Sequence, residues 1–250
     1  MISKFKFKKN KIYILFLFLF SIIINQYYGN LGLFPMDSAH FFDSGYRVLN
    51  GETPFQDYWL VKGLILDYIQ AIFFYIFGVN WQAYVIHASA INALITISTF
   101  FVLKNFKLKD EYSFCYSLLL SILAYPSSGT PFIDHHSTFF SLLGIYSFLL
   151  GINTKRKIFW ILMPIFFGFA FLSKQVPAAY IILIVSLVLL LYTLINKKIY
   201  LIWYSLASTI LFILAIISFG KIQGINFSAF LDQYIYYAQT IGSRRFISLD

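Results

Sequence analysis

Charge is what this sequence lacks most. Of its 250 residues only 12% are Asp, Glu, Lys or Arg, while 60% are hydrophobic and the mean hydropathy is +0.75. That balance excludes a soluble globular domain. Cysteine is almost missing: Cys115 stands alone inside an apolar run, which excludes a disulfide framework and a cysteine metal site and reads as a small buried residue. No internal repeat or low-complexity linker is evident. Acidic residues number only ten against 19 Lys and Arg, giving a net charge of +9. The excess does not read as a nucleic-acid surface, because the lysines sit in short clusters between apolar runs, where they report topology.

What is present is a series of apolar runs of about 20 residues, the length a helix needs to cross a bilayer. The pattern predicts an all-α, polytopic transmembrane bundle with seven spans at roughly 12–29, 81–103, 112–127, 137–153, 158–173, 177–196 and 199–220. The opening KFKFKKNK before IYILFLFLFSIII has the look of a signal sequence without a small-residue cleavage site, and reads as a retained anchor. With the N-terminus in the cytoplasm, four basic clusters fall inside: Lys4 to Lys11, Lys104 with Lys107 and Lys109, Lys155 to Lys157, and Lys197 with Lys198. Eight of the ten acids then fall outside; only Asp110 and Glu111 do not. Most of the 30 Phe and 19 Tyr are expected to face lipid or pack the core.

LILDYIQAIFFYIFG, residues 64–78, is apolar enough to pass for an eighth span. If it crossed, every later basic cluster would face outward, so the charge distribution argues against it. Asp67 and Gln70, one turn apart, give it a polar stripe, and an amphipathic helix in the outer interface fits better. The outer side then holds a structured loop at 30–80, turns near 128–136 and 174–176, and a polar segment from 221 to 250.

Half of the acids, Asp37, Asp43, Glu52, Asp57 and Asp67, fall in that loop and its interfacial helix. A helix over 37–47 puts Asp37, His40 and Ser44 on one face, while Asp43 lies four residues before Arg47, where an ion pair explains it. Asp37 is therefore the functional candidate of FPMDSAHFFDSG, with His40 as its companion. In TPFIDHHSTFF, residues 130–140, Asp134 stands at the head of a span, where it can cap the helix N-terminus and also act chemically. His135 and His136 point about 100° apart on a helix, and without a spaced third ligand they make weak evidence for zinc. Lys174 in FLSKQVP and the pair Arg244–Arg245 are the remaining outer cations; an Arg pair suits a phosphate or pyrophosphate.

The order of these features resembles the GT-C superfamily of membrane glycosyltransferases, in its bacterial branch related to aminoarabinose and protein-mannosyl transferases. The resemblance is carried by the lysine-rich start, Asp37 opening the outer loop and GYRVLNGETPFQDYW at 45–59. It continues through KGLILDYIQAIFFYIFGVNWQAYVIHASAI, IDHHSTFFSLLGIYSFL and GFAFLSKQVPAAYI. Two departures stand out. Ser38 follows the first acid where many members have a second acid, and the chain stops after seven spans where members generally continue, which reads as an N-terminal portion.

The resemblance implies inverting transfer of a sugar from a polyprenyl-phosphate donor to a glycan, lipid or protein acceptor on the outer face of a bacterial inner membrane. It implies Asp37 as base and Asp134 as orienting carboxylate. His40, Lys62, His135, His136, Lys174, Arg244 and Arg245 fall to substrate. A divalent metal, held by Asp37 and Asp134, is compatible with this chemistry, but nothing in the sequence requires a cofactor. Membrane lipids are the other expected partners. The rival readings are a lipid or glycan flippase and an inactive membrane fragment. A transporter places ionisable or helix-breaking residues near the bilayer midplane, whereas here the acids lie at span ends and only Pro164 interrupts a span centrally.

Overall fold

In a computed structural model the chain is described over residues 2–32, 37–125 and 129–244, with side chains described over 10–240. Each of the seven apolar runs is a helix: α1 (Ile2–Gly29), α4 (Trp81–Asn105), α5 (Asp110–Ala124), α6 (Ile133–Thr154), α7 (Lys157–Ser173), α8 (Gln175–Ile195) and α9 (Tyr200–Ile222). Between α1 and α4 lie α2 (Asp37–Leu49) and α3 (Ile65–Phe77). After α9 the chain forms α10 (Phe227–Phe230), a π-helical turn at Leu231–Tyr236 and α11 (Tyr237–Arg244), so the polar segment is helical over Phe227–Arg244.

Among the described residues, five helices are long and apolar enough to span a bilayer: α4, α6, α8, α9 and, over Asn10–Gly29, α1. At about 1.5 Å per residue α5 and α7 reach only about 22 and 26 Å, short of a hydrocarbon core of about 30 Å. For α7 the packing supplies the missing argument. It runs antiparallel to α6 along a seam in which Gly151 meets the Trp160 ring, Gly144 meets the Phe167 ring, and Ser137 Oγ donates to the Lys174 carbonyl at 3.2 Å. Each pair lies seven residues from the next on both helices, the repeat of coiled packing. The small residues are all on α6 and the large rings on α7, so the backbones approach closely without a polar driving force. α7 therefore accompanies α6 over nearly its whole length.

That seam makes a direct prediction. A Cβ at Gly144 would already crowd the Phe167 ring, so Gly144→Leu overpacks the seam and destabilises the protein by about 1–3 kcal/mol. Thermal unfolding in detergent checks it, and pairing the change with Phe167→Ala is expected to recover part of the loss.

Charge separates by end. At one end Lys104 pairs with Asp110, Asn153 Nδ2 donates to the Asn105 carbonyl at 3.0 Å, and Lys157 lies 5.1 Å over the Tyr204 ring. Here the basic clusters after α4, α6 and α8 meet. The opposite, acidic end holds α2, α3, the start of α6, the α7–α8 junction and the α10–α11 segment. Between the ends the helices carry aliphatic surface: Leu183, Leu187 and Leu191 on α8 and Ile210, Leu211 and Leu214 on α9 are all more than 40% exposed. Such continuous apolar surface is covered by lipid. Cys115 lies on this outward surface of α5, exposed, and not buried as its apolar context predicts.

The segment 64–78 is helical over Ile65–Phe77, and its polar stripe has a definite direction. α3 doubles back along the start of α4, with Gln70 bonded to His87 and Phe74 packed with Ala83 and Tyr84. Asp67 and Gln70 face the protein and are fully buried, while Ile72, Tyr75 and Ile76 face outward. The polar side of this amphipathic helix is therefore its interior side, and its apolar side is turned to the surroundings.

Candidate active site at the acidic end

Two helix beginnings define the site. α2 opens on Asp37 and α6 carries Asp134 in its first turn. They are fastened together through the turn before α6. Ser38 and Thr130 hydroxyls lie 2.9 Å apart, and Tyr84 Oη donates to the carbonyls of Ser38 (2.9 Å) and Pro131 (3.2 Å). The same turn is pressed against the end of α1: Gly29 and Gly129 approach with no room for a Cβ on either, and Asn25 Nδ2 donates to the Gly129 carbonyl at 2.8 Å.

Asp134 does not cap its helix. The N-cap residue Phe132 makes no side-chain cap bond, and the Asp134 carboxylate instead receives Lys174 Nζ at 2.5 Å. Lys174 is placed for this by the α6–α7 seam, since Ser137, one turn on from Asp134, holds the Lys174 carbonyl. The pair is open to its surroundings, with side chains 45% and 34% exposed. Asp37 is exposed and makes no hydrogen bond or ion pair among the described residues; His40 is likewise exposed on α2. Ser44, expected on their face, is turned inward. Asp43 pairs with Arg47 at 2.7 Å, as its spacing predicts, and Arg47 reaches on to Glu52 at 3.0 Å.

Lys62 is not at the surface. It is buried and ion-paired with Asp67, which also accepts from Ser44 Oγ at 2.7 Å and from Tyr58 Oη at 3.2 Å. Burial lowers the Lys62 ammonium from the ordinary lysine range, an effect the Asp67 carboxylate opposes. Burial also pushes the Tyr58 hydroxyl up, reinforced by the Asp67 charge, so Tyr58 stays a hydrogen-bond donor. As a ligand for substrate, Lys62 is committed elsewhere: it struts α2 to the start of α3. The loop containing it is held from both sides. Gly63 N donates to the Ser173 carbonyl at 3.1 Å where a Cβ would strike the backbone of Leu172. Gln233 of the π-helical turn accepts from Leu60 N (2.8 Å) and donates to the Phe55 carbonyl (2.7 Å).

His135 and His136 diverge, as helical geometry requires. His135 packs between Tyr125 and Phe139, while His136 is fully buried and bonded to His87 with 3.0 Å between their Nε2 atoms. Neither contacts Asp134 through a hydrogen bond. His87 was not singled out from the sequence; the available signal was an imidazole inside a span, where ionisable groups are rare. Among the described residues no three His, Cys, Asp or Glu side chains gather as metal ligands. Arg244 ends α11, and Arg245 lies outside the described residues.

Beside this site an apolar cavity of about 570 Å³ opens between α7, α8 and α9, lined by Phe167, Gly168, Leu189 and Phe212 and closed at the acidic end by Phe227 and Phe230. It adjoins a second hollow of about 270 Å³ that shares Phe227 and Phe230 and reaches Leu64. α9 packs mainly on α7, through Ser205 and Ser208 hydroxyls donating to the Trp160 and Ile161 carbonyls, and this leaves the gap toward α8.

Among the described residues, an all-helical bundle with apolar flanks, and with carboxylates and a lysine grouped at one end, defines a polytopic membrane protein. Residues 61–219 match the family model of dolichyl-phosphate-mannose-protein mannosyltransferases, and the chain belongs to that family. It is a membrane glycosyltransferase of the GT-C type. The match includes Lys62, Asp134, His135, His136 and Lys174 and leaves Asp37, His40 and the two arginines outside. No curated protein and no solved structure matches the chain.

Proposed function

We propose that the protein transfers a sugar from a polyprenyl-phosphate donor to an acceptor hydroxyl on the outer face of the membrane, with inversion at the anomeric carbon. The observation that carries this reading is the open Asp134–Lys174 pair inside the family-matched region. An ion pair so exposed contributes only about 0.2–1 kcal/mol to stability, so folding gives little reason to keep it at a membrane boundary. Chemistry gives a better one. As the acceptor oxygen bonds to the anomeric carbon, its proton passes to a carboxylate, for which Asp37 is exposed and, among the described residues, uncommitted. The bond to the leaving oxygen breaks, its electron pair moves onto the lipid phosphate, and Lys174 meets the growing charge. Asp134 orients Lys174, and the cavity beside α7 takes the hydrocarbon of the carrier. With the acidic end outward, the basic clusters face the cytoplasm.

Purified protein in vesicles, given a labelled sugar on a polyprenyl phosphate, tests this. The expected product has the inverted anomeric configuration. A retained configuration, or equal transfer from a sugar nucleotide without the lipid carrier, overturns the reading. In the same assay Lys174→Met is expected to shift the melting temperature little and to lower kcat about tenfold, the loss of one charge-assisted hydrogen bond of about 1.4 kcal/mol made as the leaving phosphate gains charge.

A further inference from the structure

Gln70, His87 and His136 form a buried chain that the proposed chemistry does not use. Gln70 on α3 lies 2.8 Å from His87 Nδ1 on α4, and His87 Nε2 lies 3.0 Å from His136 Nε2 on α6. His136 Nδ1 lies 2.9 Å from the Phe132 carbonyl, with Tyr125 Oη at 3.3 Å as a second neighbour. All three side chains are fully buried. Phe73 stacks on the His87 ring at 5.0 Å and 13°, which fixes its plane.

The chain has one satisfactory direction. A carbonyl oxygen only accepts, so His136 Nδ1 carries a hydrogen. In a neutral ring His136 Nε2 then has none and accepts from His87 Nε2. That leaves His87 Nδ1 bare, and it must accept from Gln70. With the Gln70 oxygen toward His87, the buried Nε2 of Gln70 has no partner. Turning the amide over gives that nitrogen its acceptor and leaves only a carbonyl oxygen unpaired, the less costly orphan. The alternative, an imidazolium in this chain, would bury a charge with no carboxylate bonded to it.

We infer that Gln70, His87 and His136 are positioning residues: a one-way hydrogen-bond relay from α3 through α4 that sets the rotation of the first turn of α6 and so holds Asp134 against Lys174. The importance of that placement for catalysis rests on the function proposed above; the relay itself does not. His136 lies half a turn beyond Asp134, and both its backbone N–H (3.0 Å) and its ring converge on the Phe132 carbonyl at the helix start. Any rotation of this turn that keeps the relay is blocked by α4, and any that breaks it leaves buried polar atoms unpaired.

The test compares two thiol-bridging rates in full-length protein in membranes, in a Cys115→Ser background. A short bifunctional thiol reagent bridges D134C to K174C at the acidic end, and in a separate protein N105C to N153C at the basic end. Introducing His87→Leu is expected to slow the first bridge about fivefold or more while the second changes less than about twofold, and His87→Gln, which keeps an amide facing His136, is expected to restore it. Unchanged bridging at the acidic end overturns the relay. Equal slowing of both bridges also overturns it, because the residues then support the fold as a whole. Sugar transfer by His87→Leu with Asp134 and Lys174 intact separates the two claims. Slowed bridging with undiminished transfer leaves the relay standing and removes Asp134 from the catalytic reading.

Discussion

Asp67→Ala is expected to unfold the acidic end of the protein. Asp67 is fully buried and accepts from three groups at once: Lys62, Ser44 and Tyr58. Removing it strands a lysine whose side chain is 3% exposed, and breaking a buried ion pair from one side destabilises by about 3–5 kcal/mol. The damage spreads because the pair lies where α2, α3 and the loop before α3 meet. The double change Lys62→Met with Asp67→Leu removes both charges and is expected to recover most of the loss, since apolar replacement of a buried pair is often neutral. Thermal unfolding in detergent, with proteolysis of the 50–64 loop as a local readout, measures both. A double variant as unstable as Asp67→Ala alone would mean that Ser44 and Tyr58, not the charge, dominate the site.

Asp37→Asn is expected to have the largest effect on activity at little expense of stability. Asp37 is exposed and makes no hydrogen bond or ion pair among the described residues, so its loss costs only the interaction of a carboxylate with the α2 N-terminus, about 0.3–1 kcal/mol. A general base contributes about 10²–10⁴-fold, and kcat for sugar transfer is expected to fall by that much with the melting temperature nearly unchanged. Asp43→Asn is the matched control. It is six residues away on the same helix, engaged by Arg47, and its transfer rate is expected to stay within about twofold of the parent. Full transfer by Asp37→Asn would move the base to another carboxylate, with Asp134 the first to examine.

How much of this was readable in the sequence depends on how far each partner lies along the chain. The helices were legible because bilayer-length apolar runs between charged clusters leave few other structures. Asp43–Arg47 was legible because its partners are four residues apart. The gathering of acids at one end followed from charge alternation. The orientation of α3 did not, because hydropathy reports that a polar stripe exists and not which way it faces. Asp134 reaches Lys174 across 40 residues and His136 reaches His87 across 49; only packing reveals such pairs. For Asp134, capping was the local explanation, and a tertiary ion pair displaced it. Lys62 was assigned to substrate from resemblance, whereas its neighbour five positions on engages it in the interior.

The hold that Gln233 has on the loop before α3 also bears on biogenesis. Its partners Leu60 and Phe55 are made 173 and 178 residues earlier, and Thr53 likewise waits for the Gln223 carbonyl at 3.2 Å. During synthesis the loop emerges beside only α1 and α2, long before α9 has been inserted. The acidic end therefore closes only after α9 and the π-helical turn that follows it have been made, and a ribosome stalled within α9 would leave the earlier helices threaded through the bilayer around an unfastened loop.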